Sequence, residues 1–524
     1  MSELLRTGRA MAVATAVSRI TGFVRTLVLV TALGVGTRLL DAYTAANVTP
    51  NTIYELVMGG AVASVVVPLL VRQASRQDAD LFAQRLLSLV VYGLGAVVIV
   101  TVVAAPLIVD ATVGGFSPPQ RHLAVLFTRF FMPQILFYGV SATLAAVLNA
   151  RGRLAAPMWA PVANNLVVIA TGLAFVLVGG AGHVESLTTA QALLLSIGTS
   201  AGVAAQMTVL AFAGRRAGFR LRLHADPRGI GVRRIVAMAG WTIASVAATQ
   251  AVFVVSTRLA SNAGKGMLSV YGNASMIFQL PYGIVAVTVI TGVLPRMSRA
   301  AGRRDLEGVT TDLSHGLRLT GVALAPVAAA LIVLGPALTT LMFAHGHTSP
   351  HAAQLTGQTL AAFGPALVPF AGYQIMLRAF YALGDTRTPA LISVGVSAVT
   401  VTAVLVASLF TSGAHLMVAM AACTAVAYTT GLLVTAVLLR QRLGRVDGHR
   451  LLDTHLRTLA AAIVAGLAAA AVAHAVDGSL GAGPGSAAVV VVAASAAGGV
   501  LYALVARILG VAELRTLTSA LRLG

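Results

Sequence analysis

The chain has 524 residues, 57% of them hydrophobic and only 10% charged, with a mean hydropathy of +0.88. Soluble domains carry roughly 25% charged residues, so a soluble fold is excluded. The 36 Lys and Arg against 16 Asp and Glu give a formal charge of +20; in a soluble chain this would point to nucleic acid, but in so apolar a chain it reads as membrane topology.

A spanning helix needs about 20 mostly apolar residues. At that length about 14 candidates appear, near 8–35, 42–71, 83–109, 122–149, 157–179, 188–213, 233–260, 267–294, 314–342, 354–382, 388–411, 415–439, 456–475 and 486–509. The fold class is therefore an all-α polytopic membrane protein. No small-residue cleavage site follows a short apolar core at the N-terminus, so the first helix is expected to serve as its own insertion signal. Cys423, the only cysteine, lies in an apolar run. That excludes an intramolecular disulfide and a cysteine metal cluster.

Arginine sets the orientation, because cytoplasmic loops hold an excess of Lys and Arg. Alternate connections carry Arg6 and Arg9, Arg72 and Arg76, Arg151 and Arg153, then a dense cluster from Arg215 to Arg234, then Arg296 to Arg304, Arg387, and Arg440 to Arg450. The opposite set holds Arg38 with Asp41, Asp110 with Arg121, His183 with Glu185, Arg258 with Lys265, and His345, His347, His351 and His415. Both termini are thus expected in the cytoplasm.

Two sequence pairs repeat at nearly one spacing. VVVPLLVRQASRQD, with Pro68, resembles GVLPRMSRAAGRRD, with Pro295, at an offset of 227 residues; LNARGRLAAP, with Gly152, resembles FYALGDTRTP, with Gly384, at an offset of 232. This predicts tandem lobes of six helices sharing one orientation: an N-terminal lobe over 1–214, a basic linker over 215–232, a second lobe over 233–440, and two last helices with a tail over 441–524.

The first helix places Arg19 and Arg25 inside an apolar span. Each centrally placed arginine costs about 2.5–3.5 kcal/mol on insertion scales and should face protein or water. At 100° per residue Ser18, Gly22 and Arg25 share a face, and Arg19 lies about 120° and about 9 Å from Arg25. Two planar guanidinium forks so placed suit separate phosphates or a diphosphate. The competing reading is that both arginines snorkel to the interface or pair with a structural carboxylate.

The second helix opens at Asp41 and carries Asn47, Pro50, Asn51, Tyr54 and Glu55 into the membrane. Pro50 removes a backbone donor and predicts a bend that could act as a hinge. Glu55 needs a partner at this depth, with Arg19 or Arg25 the candidates, and the pair could be structural or functional. Gly59 and Gly60 suit close helix contact. Arg129 and Arg378 are further intramembrane cations; Arg129 sits deeper and is the better cavity candidate, whereas Arg378 lies nearer the cytoplasmic end, within reach of snorkelling. His345, His347 and His351 lie in an outer loop and read as ordinary loop polarity ahead of a metal site. Gly34 and Gly36 follow a helix, not a strand, so a nucleotide fingerprint does not fit. With no Walker motif, zinc-ligand set or nucleophile elbow, no catalytic residue and no cofactor is expected. Transport would draw on an ion gradient, the membrane potential or the substrate gradient.

The runs SRITGFVRTLVLVTALGVG, DAYTAANVTPN, GAVASVVVPLL, AVLNARGRLAAPMWAPVANN, GIVAVTVITGVLPRMSR and RAFYALGDTRTP resemble, in order over about residues 10–440, the MurJ (MviN) lipid II flippases of the multidrug/oligosaccharidyl-lipid/polysaccharide exporter superfamily. The arginine- and alanine-rich usage is similar to that of actinobacterial members. The resemblance implies 14 helices in two lobes around a central cationic cavity, with the last two helices forming a lipid-accessible groove. It implies a plasma-membrane flippase of a lipid-linked peptidoglycan precursor, working by alternating access, with membrane lipids and lipid II as its ligands.

On this resemblance Arg19 and Arg25 match cavity arginines and Asp41 an acidic residue of the outer gate. Gly22 and Pro50 join Asp41 as gating candidates; Asn51, Tyr54, Glu55 and Arg129 join the two arginines as substrate-binding candidates. Where the family often has arginine just after its Pro-Asn pair, this chain has Tyr54 and Glu55. Where the family often has Asp-Arg in the eighth helix, this chain has Ser275 and Met276, which shifts the expected contacts to Arg129 or Arg258. The spans 233–260, 388–411 and 415–439 contain no Asp or Glu, so the sodium site of some members is not expected. Two other functions compete: an exporter of another polyprenyl-linked glycan or of a drug, and a non-transporting scaffold that recruits wall-synthesis or division proteins through basic loops.

Overall fold

Backbone N–H and C=O groups find no water in a bilayer, so long apolar runs must close their hydrogen bonds within single helices. The computed structural model describes residues 2–59, 79–180, 183–224, 232–444, 447–480 and 483–514, and every regular element among them is helical. Twelve helical stretches among the described residues are long and apolar enough to cross a membrane. They fill the third to fourteenth expected positions, and α1 (Ser2–Leu33) and α2 (Arg38–Tyr54) fill the first two. Pro68 and the run 60–78, including Gly60, Arg72 and Arg76, lie outside the described residues, as do 225–231 of the expected linker.

By packing the chain falls into two units: residues 1–250, 257–266 and 345–348, and residues 251–256, 267–344 and 349–524. The first contains α1, α2, α3 (Ala79–Val103), α4 (Ala105–Thr112), α5 (Pro118–Phe131), α6 (Gln134–Ala150), α7 (Ala155–Leu177), α8 (Thr189–Arg216) and most of α9 (Val232–Asn262). Within it α1 lies along α7, α7 along α8, and α2 along α5. Leu86 and Leu87 of α3, Leu144, Val147 and Leu148 of α6, and Leu210 of α8 close a core over Phe219.

The second unit contains α10 (Met267–Pro281), α11 (Val287–Gly302), α12 (Leu306–Phe343), α13 (Pro350–Phe363), α14 (Leu367–Ala382), α15 (Arg387–Phe410), α16 (Gly413–Leu443), α17 (Gly448–Leu480) and α18 (Pro484–Ile508). The 38-residue α12 is its spine, packed by α11, α13, α14, α17 and α18. Small residues let α17 and α18 approach it closely: Ala461, Ala465, Ala469, Ala494 and Ala506 are all buried. The C-terminal end is fastened by ion pairing of Arg318 with Glu513 and by the Tyr502 hydroxyl, which donates to the Val322 carbonyl at 2.6 Å.

The repetition in the sequence extends into irregular features. The broken pair α5 and α6, interrupted at Met132–Pro133, recurs 232 residues later as α13 and α14, interrupted at Gly364–Ala366. A π-helical turn follows α2 at Glu55–Gly59, and another follows α10 at Tyr282–Ala286, an offset of 227. Gly152 and Gly384 close α6 and α14 in the same left-handed conformation, with φ of 71° and 78°. The amide after each reaches back to a carbonyl in the last turn: Arg153 to Leu148 and Asp385 to Phe380, both at 2.9 Å. Only a residue without a Cβ takes this cap at low cost.

Candidate substrate-binding site

The Ser18 and Gly22 face of α1 is held by Asn165 of α7, whose amide nitrogen donates to the Ser18 carbonyl and the Thr21 hydroxyl, both at 3.1 Å. A Cβ at Gly22 would stand 3.4 Å from that nitrogen. That is an ordinary contact, so the Asn165 hydrogen bonds, not the absence of a side chain at Gly22, fix how α1 packs on α7 and presents its arginines. Arg19 is exposed and Arg25 half-buried. Among the described residues neither makes a salt bridge or a hydrogen bond.

The expected partner of Arg19 or Arg25, Glu55, pairs with neither: it is half-buried at the start of the π turn after α2, with no ion pair among the described residues. The reason is packing. Most of α1 runs along α7 and touches α2 only slightly. Structural neutralisation of the arginines by Glu55 is thereby corrected.

Arg25 instead lies within electrostatic range of two tyrosine hydroxyls, those of Tyr43 on α2 and Tyr138 on α6. Tyr43 is buried edge-on against Phe127 and Phe131, with ring centroids 5.9 and 5.6 Å away, and its hydroxyl is 2.8 Å from that of Thr199. Tyr138 donates to the Gln134 side-chain oxygen at 3.3 Å; Gln134 donates in turn to Ser200, and Ser200 to the Phe130 carbonyl. Tyr54 leans on Tyr138 with centroids 5.8 Å apart. A belt of oriented hydroxyl and amide groups thus lies within electrostatic range of a guanidinium. Sequence reasoning missed Tyr43, Tyr138, Gln134 and Thr199. The one available signal was Gln134, a side-chain amide inside an apolar span.

Asn51 and Arg129 are exposed, Tyr54 is half-buried and Pro50 buried. The helix departs from α geometry at Glu55, five residues after Pro50, where the Thr52 carbonyl accepts from Gln250 at 3.0 Å. Arg258 is not available as an alternative contact in this arrangement, since its guanidinium donates to the carbonyls of Asp110 and Ala111, both at 2.9 Å. Arg378 is half-buried, with its guanidinium 5.6 Å from the Tyr381 ring centroid.

At the other end of α2, Asp41 is 1% exposed and accepts the Gly266 amide at 2.7 Å. The turn before it is gripped by segment 345–348: Val35 donates to Thr348 at 2.8 Å, and a His347 ring nitrogen lies 3.2 Å from the Ala32 carbonyl. Of the histidines at 345, 347 and 351, His347 thus serves as a backbone contact.

Twelve helical stretches among the described residues that are long and apolar enough to cross a membrane, with a cationic first helix, define a polytopic membrane protein with the fold of a transporter. The structure is similar to a lipid II flippase MurJ solved in an inward closed conformation, with TM-score 0.76 at 21% identity over 95% of this chain and 98% of that one. It is also similar to an inward-facing multidrug resistance MATE transporter of the MOP superfamily, with TM-score 0.67 at 14% identity over 82% and 96%. These two likenesses bear on fold alone.

The family described as Lipid II flippase MurJ matches residues 29–485, and the chain belongs to it. Relatives include a probable lipid II flippase MurJ of Rhizobium meliloti, 31% identical over 76% of this chain and 74% of the relative. Another is the lipid II flippase MurJ of Burkholderia cenocepacia, 28% identical over 74% and 75%.

Proposed function

We propose that this chain flips lipid II, carrying its anionic headgroup from the inner to the outer leaflet by alternating access while the prenyl tail stays in lipid. The observation that carries this reading is Arg25: an intramembrane guanidinium with no carboxylate partner among the described residues, within electrostatic range of the hydroxyls of Tyr43 and Tyr138. A half-buried intramembrane cation without an internal counter-charge favours an anionic ligand. Arg19 and Arg129 add two more accessible cations; Asn51, Tyr54 and Glu55 line the same helix end and contact the sugar and peptide portions.

In this mechanism residues 1–214 and 233–440 act as lobes joined by 215–232. Asp41 closes the outer end, and Gly22 and Pro50 let α1 and α2 shift. The distribution of arginine supports both termini in the cytoplasm. The membrane potential or an ion gradient drives the cycle without covalent chemistry, and wall-synthesis proteins meet the chain at its basic loops.

The test is complementation of a lipid II flippase depletion strain, with labelled lipid II followed in each leaflet. The native chain should restore growth and outward labelling, and Arg25→Ala at equal expression should lose both. Undiminished flipping by Arg25→Ala would sink the assignment of that residue. Failure of the native chain with lipid II, together with binding of a different polyprenyl-linked glycan, would overturn the substrate.

A further inference from the structure

In the second unit a cavity of about 590 Å³ opens where α14 ends, α15 begins and α16 ends; it is lined by Phe380, Gly384, Asp385, Arg387, Leu391 and Arg442 among others. Arg387 and Arg442 flank one carboxylate, Asp385, which accepts from the Thr388 amide at 3.0 Å, the Thr388 hydroxyl at 2.7 Å and Arg442 at 3.0 Å. Arg442 remains 63% exposed after that pairing and keeps donors for another acceptor. One turn into α15 the lining becomes apolar, and Leu391 is 48% exposed on a helix apolar enough to span the membrane.

The repeat supplies the comparison. At the matching end of the first unit, where α6 ends at Gly152 and α8 ends nearby, Arg151 fills the corner: it lies 5.4 Å from the Phe219 ring centroid, donates to the Ala217 carbonyl at 2.7 Å and pairs with Asp80. The second unit has Leu383 where the first has Arg151, at the offset of 232. A guanidinium tied to its neighbours in one repeat is replaced in the other by Leu383, beside which Arg387 and Arg442 line the cavity.

We infer that this cavity binds the phosphate headgroup of an anionic membrane phospholipid, with Arg387 and Arg442 on the phosphate and Leu383 and Leu391 along the first acyl carbons. The cations and the apolar wall follow one another in the order that a lipid at the interface presents its headgroup and its chains. Basic pockets between spans are suited to such headgroups. The site is separate from the Arg25 belt of the first unit and does not depend on which lipid-linked glycan is transported.

The experiment is native mass spectrometry of the detergent-purified full chain titrated with phosphatidylglycerol, with phosphatidylcholine as control and inorganic phosphate as competitor. The expected result is one retained phosphatidylglycerol per chain, not matched by phosphatidylcholine. At about 1 kcal/mol per cation, affinity should fall about fivefold for Arg387→Gln or Arg442→Gln and about 30-fold for the pair. Arg442→Lys should keep most of it. Leu391→Trp, which fills the apolar wall and leaves every charge in place, should also lower retention, giving a second route if the arginine variants lose their fold. Unchanged retention in both Leu391→Trp and the folded double variant would overturn the site. Full displacement by millimolar inorganic phosphate would reassign it to a soluble anion and overturn the lipid.

Discussion

The Asp41 carboxylate, at the start of α2, accepts the amide of Gly266, 225 positions further along the chain, at 2.7 Å. Gly266 adopts φ of 79°, and a Cβ there would come within 2.3 Å of the Gly36 backbone. The closure of the turn that opens α2 is therefore made by a buried carboxylate and a glycine packed backbone to backbone.

Asp41→Ala removes the acceptor from a buried amide, a change that costs about 1–3 kcal/mol. Hydrogen exchange at residues 264–266 should quicken in the alanine variant and much less in Asp41→Asn, which keeps an acceptor oxygen. Equal protection in the native and alanine chains would remove Asp41 from the closure.

The glycines in left-handed conformation separate strain from collision. At Gly152 and Gly384 no atom lies within 4 Å of an added Cβ, so alanine should cost only the backbone penalty of about 1–2 kcal/mol at each. The two losses should add, being far from shared partners. Gly266→Ala carries the same penalty plus the clash with Gly36, and should lower the thermal midpoint more than either. A ranking that puts Gly266→Ala first and the other two level is the expected outcome in detergent-solubilised protein.

Tyr43 and Thr199 form a hydroxyl pair 2.8 Å apart across α2 and α8. Tyr43→Phe and Thr199→Val should each lose about 1 kcal/mol, and the double variant little more than either, since both delete one bond. Because this hydroxyl lies within electrostatic range of Arg25, Tyr43→Phe should also slow headgroup translocation with the fold intact. Full additivity in the double-mutant cycle would mean that the two hydroxyls do not act together.

Most of the helices were legible because charge is so scarce that each apolar run of about 20 residues stands out. What composition hides is the breaks. The sequence stretch 83–109 reads as one span but is divided at Ala104; 122–149 is divided at Met132–Pro133 and 354–382 at Gly364–Ala366. Apolar side chains continue through each break, so hydropathy does not register it. Arg19 and Arg25 were legible as charges out of place.

Their surroundings were not. Tyr43 and Thr199 pair across 156 residues, and Asp41 bonds a backbone amide, which leaves no mark on residue identity. Glu55 was matched to an arginine on chemical need alone, and the packing of α1 on α7 placed them apart.

Asp385 gives a prediction in pH. It lies between α14 and α15, and burial pulls its pKa upward. The Thr388 amide and hydroxyl, the Arg442 guanidinium and the Arg387 amide outweigh that and hold the carboxyl below the usual carboxylate range. A carboxyl with a depressed folded pKa adds stability that is present above its unfolded value, 3.8, and is lost as pH falls through the folded value. The thermal midpoint of the native chain should therefore drop as pH falls from above 3.8 through the depressed folded value, and Asp385→Asn should flatten that part of the profile. Arg442→Gln removes one of the groups that favour the ionised form, so the folded pKa moves back toward the unfolded one, and the acid loss becomes smaller and is complete at higher pH. Superimposable acid profiles for the native, Asp385→Asn and Arg442→Gln chains would show that this carboxylate contributes nothing to the cap of α15.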